Sequence, residues 1–183
     1  MRVRSRWSIA SVIVCLFATS IAASEPYVTR TAMFGVEKKL EASLRNRWHD
    51  DPYMFVDLPR GYYVDHVGVL VVAEFTLSPG PGLSPFRGPI TKQEVKQHKA
   101  AVMERVPQLK DLLKTQLLET AAALNGVPES DRIVIAVSVY HFDWEDTANV
   151  PSQIVVQGVK KNLVAAHADR ALRDSAIETK ELN

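Results

Sequence analysis

Two aliphatic runs constrain this chain more than anything else in it. "GVLVVAEF", residues 68–75, and "RIVIAVSV", residues 132–139, are apolar at nearly every position rather than at every second one. Valine and isoleucine lose rotamer freedom in a helix and pack well on a pleated sheet, so both runs predict strands. The first is expected within a strand over residues 62–77. One of its faces holds Val67, Val69, Val71, Ala73 and Phe75; the other holds Gly68, Leu70, Val72 and Glu74. The second, over residues 132–142, sets Ile133, Ile135, Val137 and Val139 against Val134, Ala136, Ser138 and Tyr140. With both faces mostly apolar, each predicts a central strand covered on both sides. A third strand is expected over residues 153–158, after a loop with Asn149 and Pro151 that is short enough for a hairpin or near neighbour.

Helical periodicity fills much of the rest. Met33, Val36, Leu40, Leu44 and Trp48 recur at three- and four-residue intervals over residues 31–48. Residues 78–89 hold four prolines and three glycines, which excludes a helix there. A strong helix start follows. Thr91 and Glu94 make a capping box, and Ile90 and Val95 fit a hydrophobic staple. The apolar stripe then runs from Val95 through Val102, Leu109 and Leu117 to Leu124, with Asn125-Gly126 expected as a left-handed stop. Pro107 interrupts it and predicts a kink. A last amphipathic segment spans residues 160–176. The expected fold class is α+β, a small mixed sheet of three to four strands packed by a long bent helix and flanking terminal helices.

The first residues carry an address. Arg2, Arg4 and Arg6 precede residues 7–23, which carry no charge and end in small residues, the layout of a cleavable secretory signal peptide. The expected mature chain is one α+β domain over residues 24–183, with residues 78–89 as its Pro/Gly-rich loop, in the periplasm or secreted. Cys15 is the only cysteine and lies inside that leader, so the mature chain has no disulfide, thiolate ligand or thiol nucleophile. Losing the leader's three arginines leaves 19 of the 22 basic side chains against 21 acidic ones. A nearly neutral domain without a basic stripe lacks the phosphate contacts that nucleic-acid binding needs. No later apolar run approaches the length of a membrane span.

Catalytic motifs are missing: there is no Gly-x-Ser-x-Gly, His-Glu-x-x-His, P-loop or Gly-x-Gly-x-x-Gly. What remains are constellations. Asp65 and His66 open the first long strand, and His141 and Asp143 close the second. If the two strands pair antiparallel these ends meet, and His66, His141 and Asp143 could hold a divalent metal that activates water. If they run parallel the clusters part. Glu145-Asp146 reads as a solvated turn, and Trp144 as a cap on the core. Glu74 stands in mid-strand, where a carboxylate needs a partner such as Arg132 or a helix lysine if buried. His49, His98 and His167 read as solvated surface. Leu83 and Phe86 are apolar residues on the stiff 78–89 segment, the placement of anchors for a partner protein or of a lid.

"GYYVDHVGVLVVAEFTL", "RVPQLKDLLKTQLLETAAAL", "RIVIAVSVYHFDWED" and "PSQIVVQGVKKNL" together resemble a group of exported bacterial proteins with no assigned activity. The resemblance implies an envelope location and transfers no functional residue. The leading expectation is a non-enzymatic envelope domain that binds a protein partner through Leu83 and Phe86. Two others stand beside it: a metal-assisted hydrolase at the strand mouths, with Glu74, His141 and Asp143 as catalytic candidates, and a small apolar ligand pocket beneath the helix bent at Pro107.

Overall fold

The computed structural model describes residues 28–49, 54–78, 80 and 88–183. Its elements run α1 (Arg30–Arg47), β1 (Phe55–Val64), β2 (Gly68–Phe75), α2 (Lys92–Ala123), β3 (Arg132–Val139), β4 (Gln153–Val159), α3 (Lys160–Ala168), a 3-10 turn (Arg170–Leu172), α4 (Arg173–Ala176) and β5 (Glu178–Leu182). The fold is α+β, with a sheet of five strands in the order β1-β2-β3-β4-β5 rather than the three or four expected. Only β2 and β3 run parallel; the other neighbours are antiparallel. The long helix α2 is the crossover between the parallel pair, as parallel neighbours require.

Segment 49–61, read as a short strand or extended loop, supplies most of β1, and β5 is the strand without a sequence signal. Residues 62–77 are not one strand but the second half of a hairpin: β1 ends at Val64, Asp65–Val67 turn, and β2 begins at Gly68. His66 adopts a left-handed conformation at φ 60°, and Val67 N–H donates to the Val64 carbonyl at 3.1 Å. Gly68 is required by both conformation and space. Its φ is +123°, and a Cβ there would lie 1.9 Å from the Arg132 carbonyl oxygen. At the other edge, β5 carries Glu178, Lys180 and Glu181, a composition with no apolar alternation to announce it.

One core serves all the helices. Val69, Val71, Ala73 and Phe75 of β2, Ile133, Ile135, Val137 and Val139 of β3, and Ile154 and Val156 of β4 are buried together with the inner stripes of α1, α2 and α3. Gly61 of β1 faces the same way, and a Cβ there would meet the Met33 methyl group of α1. Beneath it Glu37 accepts from Gly61 N–H at 2.8 Å and from the Arg30 guanidinium.

Both faces were expected to be covered, yet all helices among the described residues lie on one. The register places Tyr62, Leu70, Val134 and Gln157 side by side on the opposite face, and beside them Arg60, Val72, Ala136 and Val155. Leu70 is 37% exposed and Tyr62 50%.

Helix α2 matches its sequence signals at its start. Thr91 Oγ1 accepts from Glu94 N–H, and the Glu94 carboxylate accepts from Thr91 N–H at 2.8 Å. Pro107 lies within the single helical span, which it does not divide. The expected left-handed stop does not form, because Leu124 caps the helix at φ −93° and neither Asn125 nor Gly126 has positive φ. Lys160, buried at the head of α3, instead directs its ammonium to the carbonyls of Val127 and Asn125. Among the described residues no helix is long and apolar enough to cross a membrane. The leader expected over residues 1–23 lies outside the described residues.

Candidate functional site

Parallel pairing decides the fate of the strand-mouth constellation. Gly68 stands beside Arg132 and Phe75 beside Val139, so Asp65 and His66 lie at one end of the sheet and His141 and Asp143 at the other. His66 is 91% exposed and pairs only locally, 3.2 Å from Asp65. Asp143 is exposed. The set of His66, His141 and Asp143 is therefore not brought together. Among the described residues, no group of three His, Asp or Glu side chains is placed to hold a metal ion.

Glu74 also lies apart. It stands on the uncovered sheet face, partly exposed, between Asp57 of β1 and Ser138 of β3. Arg132, named as its possible partner, is at the far end of the sheet, 3.9 Å from Glu178. Leu83 and Phe86 fall outside the described residues. The stem of their segment is visible at Gly80, which lies against the Trp144 indole; a Cβ there would come within 2.8 Å of the ring.

What the structure does assemble is a cluster at the exit of β3. Tyr140 N–H donates to the carbonyl of Phe75, holding the chain beside the end of β2. A turn closed by Glu145 N–H on the Phe142 carbonyl at 2.9 Å then swings Glu145 inward and Asp143 outward. Phe142 and Trp144 stack, with centroids 6.0 Å apart, and Tyr140 meets Phe142 edge-on at 5.2 Å. From above comes α2. His98 stands three residues after Val95 and four before Val102, so it falls on the buried stripe of the helix. Its ring packs against Trp144 at 4.8 Å.

At the centre is Glu145, with a side chain only 5% exposed. His98 Nε2 lies 3.2 Å from one carboxylate oxygen and His141 Nδ1 3.0 Å from the other. Lys99 and Asp146 make a second link between the same elements at 2.8 Å. The hydrogen bond from Lys99, then that from Ala148 N–H, holds the Asp146 carboxyl below its ordinary range.

Two of these residues overturn the sequence reading. His98 was expected on solvated surface and Glu145 in a solvated turn; their side chains are instead nearly enclosed and in contact. The position of His98 on the Val95–Val102 stripe was a signal available in the sequence. Glu145 had none, since the turn that carries it inward depends on where α2 lies.

Two grooves lie away from this cluster. One, of about 630 Å³, lies between α2 and the C-terminal segment and is lined by Asp111, Lys114, Arg170, Arg173 and Asp174 among others. The other, of about 240 Å³, lies beside Pro107, lined by Trp48, Ala101, Glu104, Arg105 and Gln108. Beneath the proline, Val106 and Leu109 are packed into the core. Arg105, though buried, donates to the Leu77 carbonyl at 2.8 Å, and its burial pulls the guanidinium below its ordinary value.

Comparison of the chain with protein-family models, with curated proteins and with solved structures gives no match.

Proposed function

We propose that this protein is an exported, non-enzymatic domain of the bacterial envelope that binds a partner protein on the uncovered face of its sheet. The observation that carries this reading is the composition of that face. An antiparallel strand pair with one side in water alternates apolar-in and polar-out. Here the centre of the outward face is apolar, with Leu70, Val72, Val134, Ala136 and Val155 together, while Glu74, Ser138, Gln153 and Gln157 of the same face lie towards its margins. A contiguous apolar surface on a folded domain marks a contact site.

The chemistry of the rim selects the partner. Arg60 stands 3.8 Å from Asp57, and Glu178 pairs with Lys180 at 3.0 Å and with Arg132 at 3.9 Å. These charges answer one another within the chain, so the face offers no excess of either sign to a phosphate or a lipid headgroup. It fits an apolar, uncharged protein surface. Five strands about 4.8 Å apart span roughly 20 Å, which puts this face at the small end of specific interfaces and predicts a reversible contact. The leader supports delivery to the envelope.

The test is site-directed photo-cross-linking in the intact cell envelope, with the probe at Val134 and a control probe at Lys96 on the outer side of α2. The expected result is one discrete heterologous adduct from Val134, none from Lys96, and loss of the adduct on Leu70→Lys with thermal unfolding unchanged. Equal labelling from both positions, or an adduct that survives Leu70→Lys, would overturn the reading. A homodimer adduct would replace the partner with a second copy.

A further inference from the structure

We propose that the groove between α2 and the C-terminal segment binds a small organic anion, its carboxylate held by Lys114 and Arg173 and its apolar body lying on Leu118 and Ile177. The inference is independent of the partner proposed above, because this groove lies on the helix-covered side of the sheet. It starts from how α2 meets β5. Thr179 and Glu181 stand beside Val156 and Ile154, and so share the covered face. Glu181 answers Lys110 of α2 at 2.8 Å. Lys114 follows one turn later on the same side of the helix. The next residue of β5 on that face is Thr179, which brings a hydroxyl but no charge.

The segment that closes the groove adds cations rather than the missing acid. Arg170 comes from the 3-10 turn and Arg173 from α4. Arg173 gives Nε to the Ala166 carbonyl at 3.5 Å, which leaves the outer N–H groups of its fork for another acceptor. The other half-buried lysines of α2 are paired, Lys99 with Asp146 and Lys110 with Glu181. Lys114 and Arg173 are half-buried as well, and among the described residues neither has an ion-pair partner. A partly desolvated cation without a counter-charge gains from an anion that supplies one.

The rest of the lining narrows the ligand. Leu118 is buried and Ile177 partly buried, so apolar surface lies beside the charge. A groove of about 630 Å³ suits a small molecule rather than a bare ion. Asp111 and Asp174 are exposed members of the same lining. Their charge opposes a polyanion such as a nucleic acid or an anionic membrane, and leaves a ligand with one anionic head. A carboxylate supplies a single charge and two oxygens that match the fork of an arginine.

The test is a two-dimensional amide NMR titration of the protein with phenylbutyrate, using phenylbutylamine and inorganic phosphate as comparison probes. Phenylbutyrate should give saturable shifts at Thr115, Arg173 and Thr179. The amine, with the same apolar body, should give none there, and this comparison needs no variant. Phosphate, without that body, should bind at least about 10-fold more weakly. Lys114→Gln and Arg173→Gln should each weaken phenylbutyrate at least about 10-fold with thermal unfolding unchanged, since each removes a hydrogen bond to a charged group. Asp174→Asn should tighten it by removing a like charge. Absence of saturable shifts, an equal response to the amine, equal affinity for phosphate, or binding retained in Lys114→Gln or Arg173→Gln would each overturn the site. Shifts centred on Leu70 and Val134 would do the same, by placing the probe on the uncovered sheet face.

Discussion

Glu37 shows how one side chain fastens two elements. It sits on the inner side of α1 with its side chain 8% exposed, and takes hydrogen bonds from Arg30 of its own helix and from the backbone of Gly61 in β1. Burial alone would push its carboxyl up. The Arg30 guanidinium and the Gly61 N–H outweigh that, so the carboxyl titrates below its ordinary range. A carboxyl lowered in the folded state stabilises above its unfolded value of about 4.3, and that contribution fades as pH falls through the lower folded value. Wild type should therefore melt higher than Glu37→Gln at pH 7, and the gap should close as the pH is taken from 5 towards 3. A gap independent of pH would mean that packing, not the ion pair, holds α1 to the sheet. The same scale explains why His98 was misread. A histidine in sequence is as compatible with surface as with core, and only its spacing from Val95 and Val102 distinguishes the two.

At the scale of elements, α2 is a helix that starts well and carries a fault. The capping box at Thr91 and Glu94 was legible because its chemistry is local to four residues. Pro107 was legible as a disturbance but not in its outcome. The exposed ring removes one backbone donor, while Val106, Leu109 and Leu113 remain buried and carry the helix across the gap. Packing of the stripe outweighs the lost bond. Pro107→Ala should consequently stabilise the protein, by about 1–3 kcal/mol, measured by chemical denaturation. Loss of stability would show instead that the proline is needed to seat α2 on β3 and β4. The end of α2 was not legible, because the chain just beyond it is fixed by Lys160, a residue of another element, through the carbonyls of Asn125 and Val127. Strand β5 was missed for a related reason: its pairing to β4 is backbone chemistry along an edge, and its side chains face water.

Across the whole molecule, the sequence carried α1, α2, the start of α3, the three inner strands and one mixed sheet, which write their burial into spacing; the segment expected to be amphipathic over residues 160–176 breaks after Ala168 into a 3-10 turn and the short α4. It did not carry the direction of β2 against β3, on which the strand-mouth site depended, since both directions bury the same residues. Nor did it reveal that no described helix covers one sheet face, because apolar positions on an open face look the same in sequence as apolar positions in a core. Hydrogen exchange should follow the resulting layering. Amides of β2, β3 and β4, each paired on both sides, should exchange most slowly, and those of β5 and the outer edge of β1 most rapidly. Equal protection of β5 would imply that its free edge is occupied. The parallel pair has a further consequence during biosynthesis. The β1–β2 hairpin can close as soon as Phe75 has been made, but the second edge of β2 has no neighbour until Arg132–Val139 arrive, with all of α2 to be synthesised first. At ordinary elongation rates that interval is about 3–12 s. During it the nascent chain presents "GVLVVAEF" as an open template on which Glu74 is the one charge, the kind of residue that opposes edge-to-edge pairing.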